Sequence, residues 1–129
     1  MRVLLDTHAL LWAARAPHRL GAQARWLIEQ SATERLVSAA SCWELGIKFA
    51  EGRLPEADAL LADWPGLIDR LMAVELAVGS AHALLAPRLE WDHADPFDRI
   101  LAAQAITEKA ALLSLDAAFD SVPELERLW

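Results

Sequence analysis

Short, unbroken apolar runs alternate along this chain with longer stretches of helical period, a pattern that strands buried on both faces and linked by helices produce. The first run, Arg2-Val3-Leu4-Leu5, stops abruptly at Asp6-Thr7, and His8-Ala9-Leu10-Leu11-Trp12-Ala13-Ala14 then reads as a helix. Pro17 and Gly21 bracket a loop, and residues 22–31 form an amphipathic helix expected to turn Ala22, Trp26 and Leu27 inward. Leu36-Val37-Ser38 is a second strand. Ser38 or Ser41 opens the next helix, which runs through Trp43-Glu44-Leu45-Gly46-Ile47-Lys48-Phe49-Ala50 and is stopped by Gly52. Residues 56–72 are helical but broken at Trp64-Pro65-Gly66, residues 73–78 are a third strand, 79–86 a short helix and 87–92 a loop.

The next helix opens with two acids and is otherwise almost wholly apolar: Asp95-Pro96-Phe97-Asp98-Arg99-Ile100-Leu101-Ala102-Ala103-Gln104-Ala105. Asp95 suits the N-cap, Pro96 the first helical position, where its missing N–H costs nothing, and Asp98 the first turn, where the helix dipole favours an anion. Ala111-Leu112-Leu113-Ser114-Leu115 then repeats the opening motif, an apolar run ending on an acid, Asp116. The tail, residues 122–129, is read as an added edge strand with Trp129 as its anchor. The elements predict an α/β domain.

Composition bounds the rest. A chain of 129 residues, 55% hydrophobic with six Trp, builds one domain over residues 1–129 with a full core and no staples. No apolar run is long enough to span a bilayer and no signal peptide is recognisable at the start, so a cytoplasmic protein without membrane association is expected. The single cysteine, Cys42, excludes an internal disulfide and a cysteine metal cage. Twelve Lys and Arg against 19 Asp and Glu, a net charge of −7, argue against a broad basic face for nucleic acid, though not against a partner held through metal ions or a basic protein.

The acids carry the candidate chemistry, and each also has a plain structural use. Asp6 and Asp116 end strands, where open α/β sheets put their sites, but both also suit turns. Glu44 has capping-box spacing from Ser41 and ion-pair spacing to Lys48; alternatively it projects to the same sheet edge as Asp6, with Lys48 placed to meet a phosphate. His82 and His93 lack metal-ligand spacing and read as surface or satisfied core residues. Four carboxylates drawn together would resist ionisation unless cations neutralised them. Hard divalent ions such as Mg²⁺ accept such oxygen ligands, whereas zinc would ask for His or Cys. One or two ions of this kind activate water and stabilise the leaving oxygen in phosphodiester hydrolysis.

Leu4-Leu5-Asp6-Thr7-His8, Trp43-Glu44-Leu45-Gly46-Ile47-Lys48 with Gly52-Arg53-Leu54, the Asp95 to Ala105 run and Leu113-Ser114-Leu115-Asp116 resemble, in order and over nearly the whole chain, the motifs of the PIN-domain family in its VapC-like toxin branch. Asp-Pro-Phe-Asp-Arg is the most specific of them. The resemblance implies a three-layer α/β/α fold with a short, mainly parallel sheet, an endoribonuclease dependent on Mg²⁺ or Mn²⁺, a homodimer, and neutralisation by a cognate antitoxin. It carries the catalytic, metal-binding acids onto Asp6, Glu44, Asp98 and Asp116, with Thr7 and Ser114 as supporting hydroxyls and Asp95 as the helix cap. Phe119 matches the aromatic that follows the family's last acid. Lys48 and Arg53 become candidate contacts to RNA phosphates; Arg99 is read as pairing with a neighbouring carboxylate, with a phosphate as its alternative. An antitoxin with a basic tail would suit the acidic charge, an arginine standing in for the metal.

Two other readings remain. A receiver-like or phosphoryl-transfer domain would also place acids at strand ends over Mg²⁺, but Asp6 has no second aspartate two residues on and no lysine follows the 112–115 strand. A catalytically inactive PIN-like binding module would not need all four acids.

Overall fold

The computed structural model describes residues 1–129. The chain runs β1 (Arg2–Leu5), α1 (Thr7–Arg15), α2 (Ala22–Glu29), β2 (Glu34–Ser38), α3 (Ala39–Ala50), α4 (Asp58–Ala62), α5 (Trp64–Arg70), β3 (Ala73–Leu76), α6 (Ser80–Leu85), α7 (Pro96–Thr107), β4 (Ala111–Leu113) and β5 (Arg127–Leu128), with 3₁₀ turns at Pro17–Arg19, Pro55–Ala57, Ala86–Arg88 and Ala117–Ser121. The strands form one sheet in the order β3-β2-β1-β4-β5, and every neighbouring pair is parallel.

The apolar runs explain the layers. Leu4 lies in register with Leu36 and Leu112, and this row packs with Leu101, Ala102 and Ala105 of α7 and with Phe119. The alternate positions, Val3, Leu5, Val37, Ala111 and Leu113, face the other way against Leu10 of α1, Leu27 of α2, Leu45 of α3, Leu60 of α4 and Leu67 of α5. A strand with apolar side chains on both faces needs cover on both, and the result is the three-layer α/β/α architecture expected. Successive strands β1, β2 and β3 step outwards in one direction, then the chain returns to add β4 on the other side of β1. That reversal opens a crevice beyond the carboxyl ends of β1 and β4, the place where doubly wound folds bind ligands. Asp6 and Asp116 follow those two strands.

Several local expectations are corrected. The second helix ends at Glu29, and it buries Ala24 and Leu27 while Ala22 is exposed and Trp26 is 59% exposed. A helix of barely two turns presents only a narrow i, i+3 stripe to the sheet, and Trp26 falls outside it. Ser38, not Ser41, caps α3, accepting the Ala40 N–H at 3.0 Å, so the Ser41–Glu44 capping box does not exist. The break before α5 falls at Asp63, which caps Gly66, while Pro65 sits in the first turn, where its ring is tolerated. β4 stops at Leu113, and Leu115 is exposed.

The tail behaves as expected of an edge strand. Leu112 and Leu113 pair with Arg127 and Leu128, and Trp129 packs on Trp12 with ring centroids 5.6 Å apart. Buried Arg35 donates to the carbonyls of Ile28 (2.8 Å), Gln30 (3.1 Å) and Thr33 (3.3 Å), satisfying the connection between α2 and β2. No helix is long and apolar enough to cross a membrane.

The tail packs against Gly21, where an added Cβ would lie 2.5 Å from the Trp129 carbonyl carbon. Gly21→Ala should therefore displace Trp129 and cost about 1–3 kcal/mol in urea unfolding, the usual range for overpacking. An unchanged midpoint would show that the tail contributes nothing to stability.

Candidate active site

Asp6 comes first because the sheet places it: β1 ends at Leu5, and the chain turns into α1 with Asp6 as its N-cap. Its carboxylate accepts the Ala9 N–H at 2.7 Å, and its own N–H donates to the Leu113 carbonyl at 3.1 Å, tying the turn to β4. Only 8% of the residue is exposed. Burial pushes its pKa up; the Ser114 hydroxyl, the Ala9 N–H and His8 act against that shift, and Glu44 adds to it.

Glu44 sits in the second turn of α3, 5% exposed. The Thr7 hydroxyl donates to Glu44 Oε1 at 2.5 Å and lies 3.1 Å from the Ser41 hydroxyl; Lys48 Nζ lies 2.7 Å from Glu44 Oε2. Both readings of Glu44 thus meet: it makes the i, i+4 ion pair and still faces the crevice. Ser41 enters as a partner of Thr7 instead of a cap.

The two acids before α7 divide their work. Asp95 is the N-cap, accepting from Phe97 N–H at 2.8 Å and Asp98 N–H at 3.3 Å. Asp98 points into the crevice, with His93 Nε2 2.7 Å from its Oδ2. Its pKa is pushed up to about 6, mainly by burial and with help from Asp95 and Glu44, against the opposing effect of His93. Arg99 corrects the expectation made for it. Its guanidinium pairs with no carboxylate: it donates to the carbonyls of Ala86, Leu89, Trp91 and His93 at 2.8–3.0 Å.

Asp116 is exposed and begins the 3₁₀ turn at Ala117–Ser121, accepting the Ala118 N–H at 2.9 Å and donating its own N–H to the buried Ser114 hydroxyl at 3.1 Å. Asp6, Glu44, Asp95, Asp98 and Asp116, contributed by four separate parts of the chain, line one cavity of about 130 Å³ together with Thr7, His8, Lys48 and Phe119. Arg53, paired with Glu51 at 2.9 Å, lies outside it, on two flanking cavities that also include Lys48. His93, read as a surface or satisfied residue, is half-buried and satisfied by Asp98, a partner that its lack of ligand spacing does not announce.

Five carboxylates face one ammonium in this cavity, and two of them have pKa values raised by burial. The donors are all hard oxygens, so the set fits a hard divalent cation. No three of them are already drawn into ligand geometry. Like charges spread apart, and each acid here is tethered to its own partner, so the carboxylates would have to close on an ion.

An acidic crevice at the switch point of an all-parallel α/β/α sheet defines the class of protein to which this chain conforms. The chain belongs to the PIN domain family, whose model matches residues 3–125, and this removes the receiver-like alternative. Among solved structures, the crystal structure of VapBC2 from Rickettsia felis bound to a DNA fragment from their promoter is similar at a TM-score of 0.67 and 15% identity, with 99% of this chain and 98% of that one covered. The likeness is one of fold. A search of the curated proteins finds no match.

The raised pKa of Asp98 sets a sign for the pH dependence of stability. The folded chain holds a proton that the unfolded chain releases, so this contribution is present below about pH 4 and is lost as pH rises through about 6. In chelator, Asp98→Asn should melt above wild type at neutral pH and lose that advantage below about pH 4. Equal melting curves across the range would mean that Asp98 ionises without penalty.

Proposed function

We propose that this protein is a metal-dependent endoribonuclease that uses Mg²⁺, with Mn²⁺ as a substitute, and acts as the toxin of a toxin–antitoxin pair. The observation that carries the reading is the convergence of Asp6, Glu44, Asp98 and Asp116, with the cap Asp95, on one small cavity. PIN domains are generally nucleases, and the structurally similar VapBC2 is named as a complex with DNA.

In this reading Asp6, Glu44, Asp98 and Asp116 hold the ion. When bound, it supplies charge to activate a water and to stabilise the leaving oxygen of a phosphodiester. Thr7 orients Glu44 by its hydrogen bond, and Ser114 fixes both Asp6 and the turn into Asp116. Lys48 rests on Glu44 until a phosphate enters. Arg53, on the flanking cavities, extends that contact along an RNA backbone. The negative cavity equally suits an arginine from the basic tail of an antitoxin.

The homodimer has a candidate face. Trp43, 67% exposed and edge-on to Phe97 at 5.2 Å, stands over a groove of about 450 Å³ between α3 and α7, with Ile47, Val78, Pro96 and Ile100 in its lining. A contiguous apolar groove of this kind marks an interface.

Purified protein incubated with total RNA should cleave it with Mg²⁺ and not with chelator. Asp6→Asn, which keeps the cap oxygen, should abolish cleavage, at least a hundredfold in rate, while leaving the melting temperature equal or higher. An inert wild type that still binds RNA would support the inactive-module reading. For the dimer, Trp43→Glu should convert a two-chain species to one in light scattering after gel filtration; a wild type that elutes as a monomer would overturn it.

A further inference from the structure

We propose that His93 is a positioning residue for the acidic site, holding the Asp98 carboxylate by one oxygen so that the other is offered to a divalent cation. The inference rests on the reading of Asp98 as a metal ligand. His93 Nε2 meets Asp98 Oδ2 at 2.7 Å, while Oδ1 accepts no protein hydrogen bond and Asp98 lines the cavity. Against a carboxylate, the ring nitrogen at that distance is the donor. The last torsion of an aspartate is broad, so an untethered Asp98 would sample many orientations. One hydrogen bond from a fixed donor removes that freedom.

The donor is itself fixed from two sides. The His93 ring stacks on Trp91, with centroids 4.2 Å apart and planes 14° from parallel, and the Trp91 indole N–H donates to the Ala118 carbonyl at 3.0 Å, in the turn that Asp116 caps. From below, Arg99 grips the carbonyls of Leu89, Trp91 and His93, each at 2.8 Å. Arg99 directly follows Asp98 on α7. The helix that carries the acid therefore also anchors the loop whose histidine orients it. Partners of this second rank commonly change metal affinity by 10- to 100-fold.

The test uses Mn²⁺ as the probe, its free concentration read by electron paramagnetic resonance, alongside thermal unfolding in chelator. His93→Phe keeps a ring to stack on Trp91 and removes the donor; His93→Gln loses the ring and keeps an N–H. The expected result is a Mn²⁺ dissociation constant raised about 10- to 100-fold in His93→Phe with unchanged unfolding, and most of the affinity recovered in His93→Gln. Wild-type affinity in His93→Phe would overturn the inference, and so would equal weakening in both variants accompanied by lower melting, which is the signature of packing alone. Asp98→Asn separates the two levels: if it binds Mn²⁺ as wild type does, the metal-site reading of Asp98 fails, whereas its loss of binding beside an unaffected His93→Phe rejects only the role of His93.

Discussion

Three of the acids around the cavity, Asp6, Asp95 and Asp116, each accept a backbone N–H at the start of a helical turn. Those N–H groups have no partner within their own helix, and the positive end of the helix dipole lies among them. The fold concentrates negative charge by giving each carboxylate its own local donor before any cation is considered. Glu44 lies in the second turn of its helix, and Asp98, although in the first turn of α7, accepts no backbone N–H. They are held instead by side chains, Thr7 and Lys48 for one and His93 for the other. Everything else in the site follows from keeping five anions apart from one another yet beside one another.

The sheet supplies the place, and half-buried Arg99 supplies rigidity beside it. Chain reversal between β1 and β4 leaves the crevice, and the crossovers around it are long, so many carbonyls fall outside any ladder. Arg99 collects such carbonyls at the loop into α7, beside the crevice, and Arg35 does the same at the connection into β2, at the opposite, amino end of the sheet. A guanidinium has five donors in a planar fork and no acceptor, which suits it to several carbonyls at once. The cost of withdrawing the charge from water is offset by four hydrogen bonds to carbonyls at each arginine and not by an opposite charge.

The parts of this structure that were legible in the sequence are those where a single physical rule acts alone. β1 and β4 are apolar on both faces and lead to acids, directly in one and after two residues in the other, and the α7 helix opens with a cap, a proline and a dipole-facing acid, so their places follow from local chemistry. Trp26 misled because hydrophobicity says that a residue can be buried and not that a two-turn helix has room for it. The start of α3 was ambiguous because Ser38 and Ser41 both satisfy capping rules, and only the end of β2 decides between them. Arg99 and His93 were opaque for a different reason: their partners are backbone carbonyls and an acid across a loop, and nothing in residue type announces a carbonyl. The convergence of the acids themselves was readable from topology, strand ends and first turns, whereas their tethers were not.

That an acid can serve as helix cap and as part of the site also shapes how such a chain would age in evolution. Aspartate and asparagine codons differ by one transition, and asparagine caps a helix as well as aspartate does. At positions 6, 95 and 116 a lineage released from selection for its chemistry could take that step with its fold undamaged. Position 44 offers no such easy exit, since a change there strands a buried hydroxyl and an ammonium that were paired. Decay of the site would therefore begin at the aspartates and reach Glu44 last, and a descendant with asparagine at the strand ends but glutamate intact on α3 would be a recent retiree and not a distinct design.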